Sequence, residues 1–339
     1  MRIRPFLKWT IVAAAAGLVL VAALPWLVSM APISGLDSAR SLATERSRFV
    51  TIPFDGTAGL EIHYLVGSQA GDRARPSFLL LHGFTFNAFT WSEVLDFFSA
   101  QGRTIAYDQP PYGLSAKLTR TDWKGESPYT REAAVEQLLA VMDALEMDRA
   151  ILVGNSAGGS LALEAALAAP ERVMGLVLLD PWVYVRRPTL PQSLADLPQV
   201  QRLTLMLARH LGQSDALLRR SYADSDRISP EQRRLAAIHA QVQGWDLAWG
   251  ELLHRSLTSS ITVSEHLAEI DQPTLVISGR EDALVPLADS ERLVAAMPNA
   301  ELVVLPGCGH MPQEECPEQV VNVVADWLSR QTQLSTAAR

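Results

Sequence analysis

The sequence predicts an α/β fold in which a mostly parallel central sheet is flanked by helices and interrupted by an all-helical insertion. Short apolar runs of strand length alternate with helical segments from Phe78 onward, which is typical of a parallel sheet covered on both faces. The alternation stops after Asp180-Pro181 and resumes at Thr274. Between these points the sequence shows helical stripes and no convincing strand.

The first 30 residues predict a membrane segment. Basic residues at Arg2, Arg4 and Lys8 precede an uncharged, apolar stretch at residues 9–30. This stretch has the length of about 20 residues that a membrane-spanning helix needs. A cleaved signal peptide is the alternative, although its apolar region is usually only about 7–15 residues long. We expect an uncleaved anchor with a cytoplasmic N-terminus, so that the rest of the chain lies outside the cytoplasm, or is secreted if the segment is cleaved.

The other boundaries follow from changes in composition. The predicted order is a linker, a first part of the α/β core, a helical cap, a second part of the core and a frayed tail, at residues 31–46, 47–185, 186–268, 269–330 and 331–339.

The strands and helices of the core are expected in a definite order. Residues 49–54 and 60–66 predict an antiparallel pair around a turn-like Asp-Gly-Thr sequence. Residues 130–147 have the clearest helical period, with five apolar side chains on one stripe. Six further strands are expected at residues 78–81, 104–107, 150–153, 175–179, 274–278 and 302–305.

Ser156 is the most informative residue of the chain. It is the serine of a G-x-S-x-G sequence that joins a predicted buried strand to an Ala- and Leu-rich helix. A serine at such a sharp strand-to-helix turn is typical of a nucleophile elbow, and the glycines permit the close backbone approach that the turn requires. The alternative role is a capping serine at an ordinary strand–helix turn.

Two acid–base candidates follow Ser156 along the chain, each after a predicted strand. Asp282 ends a Gly-Arg-Glu-Asp sequence, and His310 ends a Gly-Cys-Gly-His sequence. A histidine with an ordinary pKa of about 6.5 can accept and return a proton near neutral pH. An aspartate beside it can orient the imidazole and stabilise its charged form.

Two other acids compete with Asp282 for that role. Glu281 is its neighbour, and Asp180 follows an earlier predicted strand, where the order Ser, Asp, His would also hold. Because Pro181 follows Asp180 directly, we interpret Asp180 as the residue that fixes the start of the helical insertion, and we favour Asp282.

These motifs together resemble the α/β-hydrolase superfamily over residues 48–328. The apolar run 78–81 ends in His82-Gly83-Phe84, where this family has its oxyanion loop. The resemblance implies an oxyanion hole made by the backbone N–H groups of Phe84 and Ala157. It also implies that the helical insertion is a cap over the active site, and that His82 shapes the loop and is not the base.

The resemblance predicts a serine hydrolase that needs no cofactor. We expect it to cleave carboxylic esters with an apolar or lipid-like acyl group, through an acyl-enzyme on Ser156. A carbon–carbon bond hydrolase of ring-cleavage products is the alternative, because the Gly-Asn-Ser-x-Gly-Gly run resembles theirs, although their His-Gly-x-Gly-Pro-Gly loop is absent. A non-catalytic binding protein on the same fold is a third possibility. Six aromatic residues are candidates for an apolar pocket: Phe84, Phe86, Phe89, Trp91, Trp182 and Trp245.

Composition restricts the partners. The net charge is −8 and no long basic run occurs, so nucleic acid is not expected as a partner. No H-E-x-x-H sequence or Cys/His cluster with ligand spacing occurs, so no metal is implied. Cys308 and Cys316 flank His310 and form either a disulfide or two unrelated buried thiols; we expect unpaired thiols, because spacing alone does not give the pairing geometry. The sequence does not indicate an oligomeric state.

Overall fold

A central sheet of eight strands organises the described part of the chain. The computed structural model describes residues 23–68, 75–184 and 189–331, together with the isolated positions 9 and 17. The strand order across the sheet is β1-β2-β4-β3-β5-β6-β7-β8. The strands are β1 Ser47–Ile52, β2 Leu60–Val66, β3 Phe78–Leu81, β4 Thr104–Tyr107, β5 Ala150–Asn155, β6 Val173–Leu179, β7 Thr274–Gly279 and β8 Ala300–Leu305.

The sheet is antiparallel at one edge and parallel elsewhere. Strand β2 pairs antiparallel with both β1 and β4, and every other neighbouring pair is parallel. The register places Leu81 beside Gly154, and Gly279 beside Leu305. The loops that follow β3, β5, β6, β7 and β8 therefore all leave the sheet at the carboxyl ends of its parallel strands. This is where open α/β sheets bind ligands. The predicted fold class is confirmed.

Helices cover both faces of the sheet and form the insertion. They are α1 Leu95–Gln101, α2 Arg131–Ala144, α3 Ala157–Ala168, α4 Gln192–Ala195, α5 Pro198–Gln213, α6 Ala216–Ser221, α7 Pro230–Ala236, α8 Trp245–Ser256, α9 Leu287–Ala296, α10 Pro312–Glu315 and α11 Pro317–Arg330.

The hydrophobic core has two layers because side chains alternate along each strand. In β3, Leu79 and Leu81 pack with residues of α2, α3 and α9. Phe78 and Leu80 point to the opposite face and pack with residues of α1 and α11. Both layers consist of buried aliphatic and aromatic side chains. Because such cores are closely packed, the sheet holds the loops at the ends of its strands in fixed positions.

The helix α2 is shorter than the predicted segment 130–147. Thr130 lies before the helix and its Oγ1 accepts a hydrogen bond from the backbone N–H of Ala133 at 3.1 Å, so it is the N-terminal cap. At the other end Glu146 has a φ of 51°, which a helix cannot continue. Capping at both ends therefore decides the length of the helix.

The described residues between β6 and β7 contain helices α4 to α8 and no strand of the sheet. Helices α5 and α8 pack together through a cluster that includes Ala208, Trp245 and Trp249. Part of the segment that was predicted as a linker is hydrogen-bonded to this cap. The backbone N–H of Asp37 donates to Gln241 O at 2.8 Å, and Gln243 N–H donates to Asp37 O at 2.9 Å. Residues 33–37 therefore pack on the cap: Ile33 and Leu36 contact the cluster of α5 and α8, and Asp37 forms a backbone bridge that composition alone does not reveal.

The predicted membrane segment, residues 9–30, lies for the most part outside the described residues. Its last residues include a 3₁₀ turn at Leu24–Leu27. Within the described residues, no helix combines the length and the apolar character needed to cross a bilayer. Residues 185–188, where the predicted boundary of the cap falls, and residues 332–339 of the predicted tail also lie outside the described residues.

Candidate active site

Ser156 occupies a sharp turn between β5 and α3. Its φ is 54° and its ψ is −118°, a strained conformation for a residue with a side chain. The turn is held by a hydrogen bond from Ser156 N–H to Leu179 O at 2.9 Å. A Cβ on Gly154 would lie 2.5 Å from Gly158 O, and one on Gly158 would overlap the carbonyl oxygen of Leu81. Both glycines are therefore required by close packing, as in a nucleophile elbow.

The side chains of His310 and Asp282 contact each other directly. His310 Nδ1 lies 2.7 Å from Asp282 Oδ2, and both side chains are almost fully buried. The other carboxylate oxygen, Asp282 Oδ1, accepts hydrogen bonds from the backbone N–H groups of Leu284 at 2.6 Å and Val285 at 3.0 Å. These contacts fix the carboxylate, which in turn holds the proton on Nδ1 of the imidazole. Within the described residues Nε2 of His310 has no hydrogen-bond partner, and Ser156 Oγ forms no hydrogen bond with it.

Asn155 joins the turn at Ser156 to the loop of His310. Its Nδ2 donates to Leu179 O at 3.1 Å and to His310 O at 3.0 Å. The side chain is completely buried, so these two hydrogen bonds are shielded from water. The sequence analysis assigned no role to Asn155. The available signal was an amide side chain at the end of a strand that is otherwise apolar.

Glu315 holds the histidine loop from the other side and was also missed. Its carboxylate accepts hydrogen bonds from Gly309 N–H at 2.7 Å and from the N–H groups of Ala223 and Asp224, each at 3.0 Å. His310 N–H itself donates to Ser221 O at 2.7 Å. Because Ser221 ends α6 of the cap and residues 222–224 follow it, the cap and the histidine loop form one hydrogen-bonded unit. A buried carboxylate of this kind looks like a surface residue in the sequence.

Cys308 and Cys316 form a disulfide, so the expectation of unpaired thiols was wrong. Their Cα atoms are 6.1 Å apart, a separation that a disulfide spans. The short helix α10 turns the chain back toward the loop that begins after β8, and this brings residues separated by eight positions together. The disulfide closes the segment that contains His310.

The two rival acids lie near the site but do not contact His310 as Asp282 does. Glu281 Oε2 accepts hydrogen bonds from Gly307 N–H at 2.8 Å and Cys308 N–H at 3.2 Å, so it braces the histidine loop. Asp180 Oδ1 accepts from Gly279 N–H at 3.0 Å, which ties the end of β6 to the end of β7.

Asp180 also lies beside the carboxylate of Asp282. Burial, and then the charge of Asp282, raise the pKa of Asp180 well above its usual range. Ionisation of Asp180 is therefore disfavoured beside the carboxylate of Asp282. Asp180, Asp282 and His310 each have a ligand atom within 4.8 Å of the others, and among the described residues this is the group with the spacing to hold a metal ion. A metal there would compete with the Asp282–His310 hydrogen bond.

The two predicted oxyanion donors lie in different segments, Phe84 in the loop after β3 and Ala157 at the start of α3. Among the described residues, the backbone N–H groups of Phe84 and Ala157 donate to no acceptor. His82 shapes this loop: its Nε2 accepts from Gln109 N–H at 3.0 Å, and its Nδ1 lies 2.8 Å from Gly83 O. Burial lowers the pKa of His82, so the imidazole is held neutral. With both ring nitrogens engaged, His82 is not placed to act as the base.

Phe84 and Ala157 lie in the wall of a cavity of about 210 Å³, whereas Ser156, Asp282 and His310 are not among its lining residues. Its lining is mostly apolar and includes Leu252 of the cap helix α8. Arg131 and Glu164 also border it and are paired, with Arg131 Nε 2.6 Å from Glu164 Oε1. Of the six aromatic candidates, only Phe84 and Trp182 line this cavity; the others lie elsewhere, namely Phe86, Phe89, Trp91 and Trp245.

The described residues also contain a buried Ser–His–Asp hydrogen-bond chain, in the antiparallel part of the sheet. His63 Nδ1 lies 2.7 Å from Asp108 Oδ2, and His63 Nε2 lies 2.7 Å from Ser47 Oγ. All three side chains are buried. Ser47 Oγ also accepts from Thr44 N–H at 3.0 Å. This arrangement joins β1, β2 and the loop after β4, and both ring nitrogens of His63 are engaged within it.

Known proteins resemble this chain both in sequence and in fold. Residues 78–323 match the alpha/beta hydrolase family. A 2-hydroxy-6-oxo-6-phenylhexa-2,4-dienoate hydrolase of Burkholderia cepacia is 31% identical to this chain. The alignment covers 84% of this chain and 96% of that protein. A 2-hydroxy-6-oxononadienedioate/2-hydroxy-6-oxononatrienedioate hydrolase of Burkholderia vietnamiensis is 32% identical and covers 87% of this chain and 99% of its own.

Solved structures agree with this relationship. A meta-cleavage product hydrolase from Pseudomonas fluorescens superposes with a TM-score of 0.62 at 26% identity, over 84% of this chain and 98% of that one. An esterase from Thermogutta terrifontis has a TM-score of 0.65 at 23% identity, over 84% of this chain and 98% of that one, which shows a shared fold alone. The resemblance inferred from the sequence motifs is confirmed: this protein belongs to the alpha/beta hydrolase family.

Proposed function

We propose that this hydrolase cleaves the carbon–carbon bond beside a ketone in a ring-cleavage product, with Ser156 as nucleophile. The observation that carries the proposal is the hydrogen-bonded set of His310, Asp282 and Asn155, in a chain that is 31% identical to a hydrolase of such a compound. Family membership supports the assignment as a hydrolase. The bond that is cleaved and the identity of the substrate are our proposal.

The residues would act in a two-stage reaction. His310 accepts the proton of Ser156 as its oxygen attacks the ketone carbon, while Asp282 stabilises the imidazolium. The negative oxygen of the tetrahedral intermediate receives hydrogen bonds from the N–H groups of Phe84 and Ala157. The carbon–carbon bond breaks, the leaving carbon takes the proton from His310, and water then hydrolyses the acyl group from Ser156.

The cavity supports a substrate that is largely apolar and carries one acid. Arg131 is the only arginine or lysine among the described residues that line it. Its Nη1 donates to no described residue, although the rest of the guanidinium pairs with Glu164. A dienoate, as in the name of the Burkholderia cepacia relative, would place its carboxylate where an arginine can bind it. This chemistry favours the ring-cleavage product over a neutral ester.

Ester hydrolysis, the leading expectation from the sequence, is the second candidate. One observation favours it: the loop after β3 reads His82-Gly83-Phe84, without the further glycines of the carbon–carbon bond hydrolases it otherwise resembles. Phe84 also lines the cavity and adds apolar surface there. The same serine, histidine and backbone donors would serve either reaction, because both pass through a tetrahedral oxyanion.

The choice of bond is tested by comparing kcat/KM for two kinds of substrate. We expect a 2-hydroxy-6-oxo-dienoate to exceed p-nitrophenyl esters of several chain lengths by at least about tenfold, which corresponds to about 1.4 kcal/mol of transition-state stabilisation. Arg131→Gln is expected to raise KM for the dienoate and to leave the esters unchanged. Higher kcat/KM for an ester, with no effect of Arg131→Gln on the dienoate, would establish ester hydrolysis instead.

The catalytic domain is proposed to lie outside the cytoplasm. The Cys308–Cys316 disulfide supports this location, because structural disulfides form and persist mainly in oxidising compartments. The basic residues before residues 9–30 support the same orientation.

We expect both thiols to be oxidised in expressing bacteria. The measurement is alkylation of acid-quenched cells under denaturing conditions, with and without prior reduction, read as a mass shift. In a second sample, spheroplasts prepared from the same culture are treated with protease, which should degrade the catalytic domain. Free thiols at Cys308 and Cys316, together with a protected domain, would place the protein in the cytoplasm. A product that begins near Ala31 would show that the N-terminal segment is cleaved.

A further inference from the structure

The large apolar side chains that the structure exposes are confined to two segments. Among the described residues, every large hydrophobic side chain that is strongly exposed belongs either to the N-terminal 30 residues or to residues 190–207 of the cap. The first group contains Trp9, Trp26, Leu27 and Met30, and the second contains Leu190, Leu194, Leu197, Leu203, Met206 and Leu207. Single exposed hydrophobic residues are ordinary on a protein surface, but a concentration of this kind marks an interaction site.

The cap helix α5 has two apolar faces. One face, which includes Leu205 and Ala208, is buried, and Leu205 lies against Gly250 of α8. On the other face Leu203, Met206 and Leu207 follow the i, i+3, i+4 spacing of one helical stripe, and Met206 is 47% exposed. Helix α5 is therefore apolar on a side where Leu203, Met206 and Leu207 remain exposed.

The N-terminal segment is attached to the same helix. Arg202 Nη1 donates to Val28 O at 2.6 Å, and its guanidinium lies 4.6 Å from the centre of the Trp26 ring. Arg209 donates to Ser29 O at 2.8 Å and to Ala31 O at 2.7 Å, and it pairs with the buried carboxylate of Asp246 at 2.7 Å. Two arginines of α5 thus hold the end of the N-terminal segment against the cap.

We propose that the exposed face of α5 and residues 26–30 form one apolar surface that lies in the interface of a lipid bilayer. Residues 9–30 are uncharged and apolar, and they lead directly into this surface. A bilayer that holds the preceding residues would meet the exposed face of α5 first, because the two arginines join the segments. Trp26 has the amphipathic ring that prefers the membrane interface, and helices of this type bind there through their buried apolar area.

This placement has a consequence for the substrate that does not depend on which bond is cleaved. Helix α5 packs on α8, and α8 contributes Leu252 and Ser256 to the wall of the 210 Å³ cavity. The surface in the bilayer is therefore one helix away from the cavity. An apolar substrate dissolved in the membrane would reach the cap without crossing bulk water.

The test measures the depth of α5 in vesicles of phosphatidylcholine. The sequence has two cysteines, which are joined in the disulfide, so an added cysteine is the only free thiol. Full-chain Leu203→Cys and Leu207→Cys are labelled with an environment-sensitive fluorophore and reconstituted. Glu291→Cys, at an exposed position on α9 of the core, is the matched control. Thermal unfolding that matches the unlabelled protein establishes that each variant is folded.

We expect the emission of the labels at positions 203 and 207 to shift to shorter wavelength and to be quenched by lipids that carry a quencher in the acyl chain. The label at position 291 should be quenched by aqueous iodide instead. Labels at 203 and 207 that are as accessible to iodide as the control would overturn the proposal. Labels that are shielded without lipid quenching, in a manner that depends on protein concentration in detergent, would overturn it in favour of contact between two copies of the chain.

Discussion

Replacing Ser156 with alanine is expected to lower kcat by about 10⁴–10⁶-fold in a protein that still folds. The hydroxyl is lost, so no acyl-enzyme forms, whereas the Cβ and the hydrogen bond from residue 156 N–H to Leu179 O remain. Turnover of the best substrate and far-ultraviolet circular dichroism, measured on the same sample, separate loss of chemistry from loss of structure.

The chain supplies a matched control in the hydrogen-bonded pair of Ser47 and His63. Ser47→Ala removes the hydroxyl that lies 2.7 Å from His63 Nε2. We expect this variant to keep its turnover and to lose about 1–3 kcal/mol of unfolding free energy, because a buried histidine nitrogen and Thr44 N–H lose their partner. If folded Ser156→Ala were as active as wild type, or if folded Ser47→Ala were inactive, the assignment of the nucleophile would be wrong.

Asp282→Asn is expected to lower kcat by about 10⁴-fold with little change in stability. The amide would turn its oxygen to Leu284 and Val285, whose N–H groups now bond to Asp282 Oδ1, and present its NH₂ group to His310 Nδ1. The imidazole would then carry its proton on Nε2, which is the wrong tautomer to accept one from Ser156. Turnover at saturating substrate, followed over pH, measures the loss.

Asp180→Asn is the isosteric control for that variant. An asparagine oxygen at position 180 can still accept from Gly279 N–H, and its neutral amide adds no charge beside Asp282. We therefore expect a loss in kcat of no more than about tenfold. A larger loss from Asp180→Asn than from Asp282→Asn would identify Asp180 as the acid that orients His310.

Much of the fold was predictable because its strands are short, apolar and separated by helices. Strands β2, β3 and β4 begin and end at the predicted residues, since each is bounded by a turn or loop sequence. The ends of helices were less predictable. Helix α2 ends earlier than its apolar period because Glu146 leaves the helical conformation, and that depends on the neighbouring loop.

The candidate site was predictable only in part. Ser156, Asp282 and His310 are visible as motifs because each follows a strand, and the parallel register of those strands places the following loops at one edge of the sheet. Asn155 and Glu315 were not predicted as part of the site. Their roles arise from hydrogen bonds to backbone groups that are remote along the chain, and no local pattern encodes such contacts.

By itself, the sequence determined the succession of strands and helices along the chain and the turn at Ser156. It also determined the chain order of Ser156, Asp282 and His310. Hydrophobic period and glycine positions reveal these features because they act locally. Only the tertiary structure decided which acid meets His310, since Asp180 and Asp282 lie side by side at the ends of neighbouring strands. It also decided that Cys308 and Cys316 pair and that the apolar stripe of α5 is exposed. These outcomes depend on distances between segments far apart in the chain, which are set when the core packs and not by local sequence preference.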